Sequence, residues 1–149
     1  MDDRVSITKD IEISDDIDRD MMEVPSIYAY WAERYNGVAR QVEELDLSYS
    51  VWMAHKKRDA TAQHLAAGGR KDITETAKEN LVIINFKEEF LEQNLKLLDA
   101  RRELNNIKSS LKALEMKESM LISIGANHRQ DRELSRGVSL NNPPRKGEQ

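Results

Sequence analysis

Apolar positions recur along two long stretches at intervals of three and four. The first runs Ile27, Trp31, Tyr35, Val38, Val42, Leu45, Tyr49 and Trp52. That period, near 3.5, predicts a helix with one seam, the packing pattern of a coiled coil. Pro25 and Ser26 read as its start, with Ser26 as N-cap. Gly37 weakens the helix by about 1 kcal/mol relative to Ala without ending it. The helix is expected to run to about Ala67, roughly 60 Å at 1.5 Å per residue. Gly68 fits the left-handed position that closes a helix.

A second pattern follows the Gly68-Gly69-Arg70-Lys71 turn. Asp72 reads as an N-cap, with Glu75 three residues on. One seam is Ile83, Phe86, Phe90, Gln93, Leu97, Ala100, Leu104, Ile107, Leu111, Leu114, Glu118 and Leu121. A second seam, Leu81, Ile84, Leu91, Leu95 and Leu98, flanks its first half. One partner helix covers one seam, so residues 81–98 are expected to touch both the first helix and another protomer. Gly125 reads as a stop or kink, and residues 127–134 as a short third helical piece. The expected fold is all-α: a long antiparallel two-helix hairpin with a short C-terminal helical piece, oligomerising through coiled-coil-like seams. Its parts are an acidic flexible arm (1–24), a helical hairpin domain (25–134) and a disordered tail (135–149).

Composition agrees with long exposed helices. Of 149 residues, 34% are charged and 5% aromatic, with three prolines and six glycines. A single hairpin buries only a seam, so its stability is expected to depend on partner chains. No apolar run approaches the roughly 20 residues of a membrane span. The acidic amino terminus does not read as a secretory signal, and a cytoplasmic location is expected, the host cell's if the chain is phage-encoded.

The net charge of −4 is unevenly spread. Residues 1–24 carry −6, residues 25–134 balance, and residues 135–149 carry +2. The acidic total therefore does not exclude nucleic acid. Residues 55–72 hold Lys56, Lys57, Arg58, Arg70 and Lys71, with His55 and His64 as conditional charges. At full helical rise Arg70 lies some 20 Å beyond Lys56, so these form a stripe at one end of the hairpin, suited to a polyanion. Such a run on a long helix also reads as a plain solvated face. Trp52 reads as part of the seam or as a base-stacking ring. The arm reads as a solubilising tail or as a DNA-mimicking segment that inhibits the basic end.

Catalytic and metal chemistry finds no pattern here. There is no cysteine, so disulfides and thiolate metal sites are excluded. The chain has no phosphate-loop spacing, no dinucleotide fingerprint and no Glu-x-x-His. His55, His64 and His128 are not spaced to chelate together. Adjacent acids such as Glu43-Glu44 and Glu88-Glu89 diverge by about 100° around a helix. No catalytic residue, metal ligand or cofactor is expected, and the chain reads as non-enzymatic.

Several features occur in one order. Tyr30-Trp31 opens a helix of alternating charge, which ends in Lys56-Lys57-Arg58-Asp59. A glycine turn follows, then a long helix ending in a basic and apolar segment from Leu111 to Arg132. Over roughly residues 27–132 this resembles the small phage recombination mediators of the T4-like kind, which load a RecA-like recombinase onto single-stranded DNA. The resemblance implies phosphate contacts at Lys56 and Arg58, assembly into a ring, and contact with the recombinase and a single-strand-binding protein. That family tends to place tyrosines and glycine soon after the basic run. This chain has Ala60-Thr61-Ala62-Gln63-His64 there and reaches glycine at 68. DNA-binding residues are thus expected at Lys56, Lys57, Arg58, Arg70, Lys71 and His64, and oligomer contacts at Leu81, Ile84, Leu91, Leu95 and Leu98. The alternatives are a virion scaffold or assembly chaperone that binds no nucleic acid, and a small regulator whose acidic arm binds a host enzyme.

Overall fold

A computed structural model describes residues 7–140. Those residues form four helices and no strand: α1 (Ile7–Ile11), α2 (Ile17–Ala66), α3 (Glu75–Asn85) and α4 (Lys87–Leu140). A long helix pair, α2 and α4, accounts for most of them. They divide into two compact units: residues 7–32 with 109–140, and Glu33–Lys108.

The start of α2 corrects the sequence reading. Asp16, not Ser26, caps it: its Oδ1 accepts from the Arg19 backbone N–H at 3.1 Å. Asp18 and Asp20 in the first turn suit the positive end of the helix dipole. Pro25 sits inside the helix, where it lacks the N–H that would reach the Met21 carbonyl. Ser26 Oγ instead donates to the Glu23 carbonyl at 2.8 Å. The end of α2 is as expected. Gly68 has φ 81°, its N–H donates to the Leu65 carbonyl at 3.0 Å, and Gly69 N–H donates to the His64 carbonyl at 2.9 Å. These are the paired bonds of a Schellman cap.

The second helix is broken where one was expected. Thr74, not Asp72, caps α3, its side chain accepting from Ala77 N–H at 3.2 Å. Phe86, at φ −126° and ψ 37°, separates α3 from α4. It follows the β-branched run Val82-Ile83-Ile84, which is stiff in a helix. Gly125 does not stop α4, and residues 127–134 are part of that helix rather than a separate piece. Residues 135–140, expected in a disordered tail, continue α4, and the rest of that tail lies outside the described residues.

In the unit Glu33–Lys108, the pairing is antiparallel. Arg34 meets Glu103, Asp46 meets Arg101, Trp52 and Lys56 meet Glu89, and Gln63 meets Asn85. Val42, Leu97 and Ala100 form its core, with Leu45 and Leu104 packed against them. Val82 is fully buried where Ile83 was expected in the seam.

In the other unit, Tyr28 donates to Glu115 at 3.2 Å, and Val24, Trp31, Leu114 and Leu121 are buried. Lys117 is buried where the seam pattern placed Glu118. Steps of three then four fit a helix seam as well as four then three, and Lys117 has a partner to reach: its Nζ donates to the Asp10 carbonyl at 3.0 Å. Asp10 Oδ2 also accepts from Trp31 Nε1 at 3.0 Å. Residues 7–24, expected as part of a flexible arm, are thus built into this unit, and residues 1–6 lie outside the described residues.

Candidate nucleic-acid interface

The residues expected to bind DNA fall into two groups. Lys56 and Lys57 are spent inside the unit. Lys56 Nζ lies 2.8 Å from Glu89 Oε2 and 4.2 Å from the Phe86 ring centroid, and its side chain is 19% exposed. Lys57 Nζ lies 2.7 Å from Glu79 and 3.4 Å from Glu75, with its side chain 22% exposed. The contact with Glu79 raises the Lys57 pKa. The Glu89 carboxyl is held below its ordinary pKa, first by Lys56 and also by Trp52 Nε1–H, which donates to it at 3.4 Å. The Glu75 carboxyl is held below its ordinary pKa first by Lys78, at 2.6 Å, and then by Lys57.

Arg58, Arg70 and Lys71 form the second group. All three are exposed, and none has an anionic partner among the described residues. Arg58 also lines an open groove of about 550 Å³ with Ala54, Thr61, Ala62, Leu65 and Lys78. The groove floor is largely apolar and its rim is charged.

His64 and Trp52 are packing groups. The His64 ring fills the space beside Gly69, where a Cβ would collide with it. Trp52 stacks on Tyr49 at 5.9 Å and lies 6.5 Å from Phe90. Neither side chain stands clear as a stacking platform for a base.

The expected oligomer contacts are arranged as a stripe with one member turned inward. Leu81 is half-buried, whereas Ile84, Leu91, Leu95 and Leu98 are 73%, 48%, 57% and 55% exposed. Glu88 interrupts this spacing between Ile84 and Leu91, and Arg102 continues it beyond Leu98. Among the described residues, none buries Ile84, Leu91, Leu95 or Leu98.

Among the described residues, no group of three His, Cys, Asp or Glu is placed to hold a metal ion. No described helix is long and apolar enough to cross a membrane. Compared with protein-family models, curated proteins and solved structures, the chain matches none.

Proposed function

We propose that this chain is a non-enzymatic recombination mediator of the phage type, a self-associating helical protein that holds single-stranded DNA and assists loading of a RecA-like recombinase. One observation carries the DNA-binding part. Arg58, Arg70 and Lys71 are exposed without anionic partners among the described residues, in the same unit as an exposed, heptad-spaced row of apolar side chains. The recombinase and the single-strand-binding protein enter as partners from the family resemblance alone.

The two features depend on each other. Three neutralised phosphates give a log–log salt slope of only about −2 for single strands, which is weak binding. Copies joined through Ile84, Leu91, Leu95 and Leu98 present the three cations repeatedly, and avidity multiplies the affinity. Lys56 and Lys57 have left the DNA-binding set, because freeing them means breaking contacts with Glu89, Phe86, Glu79 and Glu75.

That loss favours a second reading. A scaffold or assembly chaperone needs the apolar stripe and no nucleic acid, and it has no use for free cations. The test is fluorescence anisotropy with a labelled oligothymidylate at low and moderate salt. The mediator reading expects salt-sensitive binding that Arg58→Gln, Arg70→Gln and Lys71→Gln together reduce at least about tenfold. Self-association with no oligonucleotide binding at low salt sinks the mediator reading and leaves the scaffold.

A further inference from the structure

In the unit containing residues 7–32 and 109–140, a cleft of about 470 Å³ has walls of opposite charge. Asp15, Asp16 and Asp18 line one side; His128, Arg129 and Arg132 of α4 line the other. Among the described residues, no ion pair joins the two walls.

We propose that His128, Arg129 and Arg132 form a second binding strip for the phosphates of single-stranded nucleic acid, and that the acidic wall of Asp15, Asp16 and Asp18 across the cleft opposes that binding by repelling the strand. The ligand class rests on the function proposed above; the site is a different one.

Hydrogen bonds on both sides fix the acidic wall in place. Asp20 accepts from Ser14 N–H at 2.6 Å and from Ser14 Oγ at 3.0 Å. Those bonds draw the Asp20 carboxyl below its ordinary pKa, the backbone N–H being the larger cause. Ser14 Oγ accepts from Asp16 N–H at 3.1 Å, and Asp16 caps α2. On the amino-terminal side, Asp10 is fixed by Trp31 and Lys117. Asp15 and Asp18 take no part in these bonds, and both lie on the cleft wall.

The opposite wall suits an extended anion. Positions 128 and 132 share a helix face, and 129 and 132 are neighbours at three residues, so the three groups make a strip rather than a pocket. A guanidinium fork accepts a carboxylate or a phosphate in the same geometry. With the three aspartates charged, three carboxylates face two arginines and the cleft repels a polyanion. With those charges removed, the strip carries two fixed positive charges and a histidine. The cleft is open and, among the described residues, no ion pair joins its walls, so a strand can reach the strip.

The test uses the full chain and a labelled oligothymidylate. Asp15→Asn, Asp16→Asn and Asp18→Asn are combined; asparagine caps a helix as well as aspartate, so the start of α2 survives. A control with the same change in charge carries Glu33→Gln, Glu43→Gln and Glu44→Gln, all exposed acids outside the cleft and the apolar stripe. The Asn variant is expected to bind about tenfold tighter than the control, with a log–log salt slope steeper by roughly 1 to 2. Adding Arg129→Gln and Arg132→Gln is expected to abolish the gain. A gain no larger than the control's, or one that survives loss of both arginines, overturns the proposal. So does displacement of the oligonucleotide by polyglutamate at lower concentration than by unlabelled strand, which would mark a peptide site. If wild type fails to bind and the Asn variant binds through Arg129 and Arg132, this site stands and the one at Arg58, Arg70 and Lys71 falls. Wild-type binding with no gain in the Asn variant has the opposite meaning.

Discussion

Lys56 and Lys57 stand beside Arg58 in the chain, but each step along a helix turns the side chain by about 100°. Two of the three therefore face α3 and α4, and only Arg58 is left to solvent without an anionic partner. The sequence shows the basic run and the seam; it does not show which acids the second helix brings opposite. That depends on the length of the turn and on the break at Phe86, neither of which periodicity reports. Trp31 is a similar case. Its place in the seam was legible from spacing, while its bond to Asp10 was hidden because residues 1–24 read as repulsive charge. The carboxyls give a test at this scale. Glu89, Glu75 and Asp20 bind protons more weakly folded than unfolded. Their contribution to stability is full above the ordinary carboxylate range, near pH 4, and is lost as pH falls through the depressed folded values. The urea midpoint is expected to drop between about pH 5 and about pH 3, and less steeply in Glu89→Gln. An equally steep fall in that variant would show that the Lys56–Glu89 contact does not matter.

At the scale of elements, the end of α2 is legible in the sequence. A left-handed residue with a doubled carbonyl cap demands glycine, and Gly68 supplies it. Gly68→Ala is expected to destabilise the chain by about 1 kcal/mol, measured by thermal melting, because alanine is strained at that φ. An unchanged melting temperature would mean the turn relaxes into another form. Signals that compete with tertiary packing are not decisive. Pro25 reads as a helix start and Gly125 as a stop or kink, yet α2 and α4 run through them, held by the burial of Val24, Trp31, Leu114 and Leu121. Thr74 and Asp72 are both acceptable caps, and only the path of the turn decides between them.

At the scale of the molecule, the described residues present an exposed apolar row and a small set of cations without anionic partners among them. Ile84, Leu91, Leu95 and Leu98 are all exposed, and soluble monomers rarely leave apolar patches larger than a few hundred Å². The second seam was legible because its spacing is independent of what covers it. Which cations remain free was not legible, because that is decided by partners distant in sequence. The central claim is that the cations at Arg58, Arg70 and Lys71 bind a strand only when the stripe arrays several copies. Leu91→Gln with Leu95→Gln leaves every charge in place and weakens the stripe. The decisive measurement is oligothymidylate anisotropy of this variant against wild type, with the mass of each followed by light scattering. Wild type is expected to scatter well above its 17.2 kDa monomer mass and to bind, and the variant to be monomeric and to bind at least about tenfold more weakly. A monomeric variant that binds as tightly as wild type contradicts the claim.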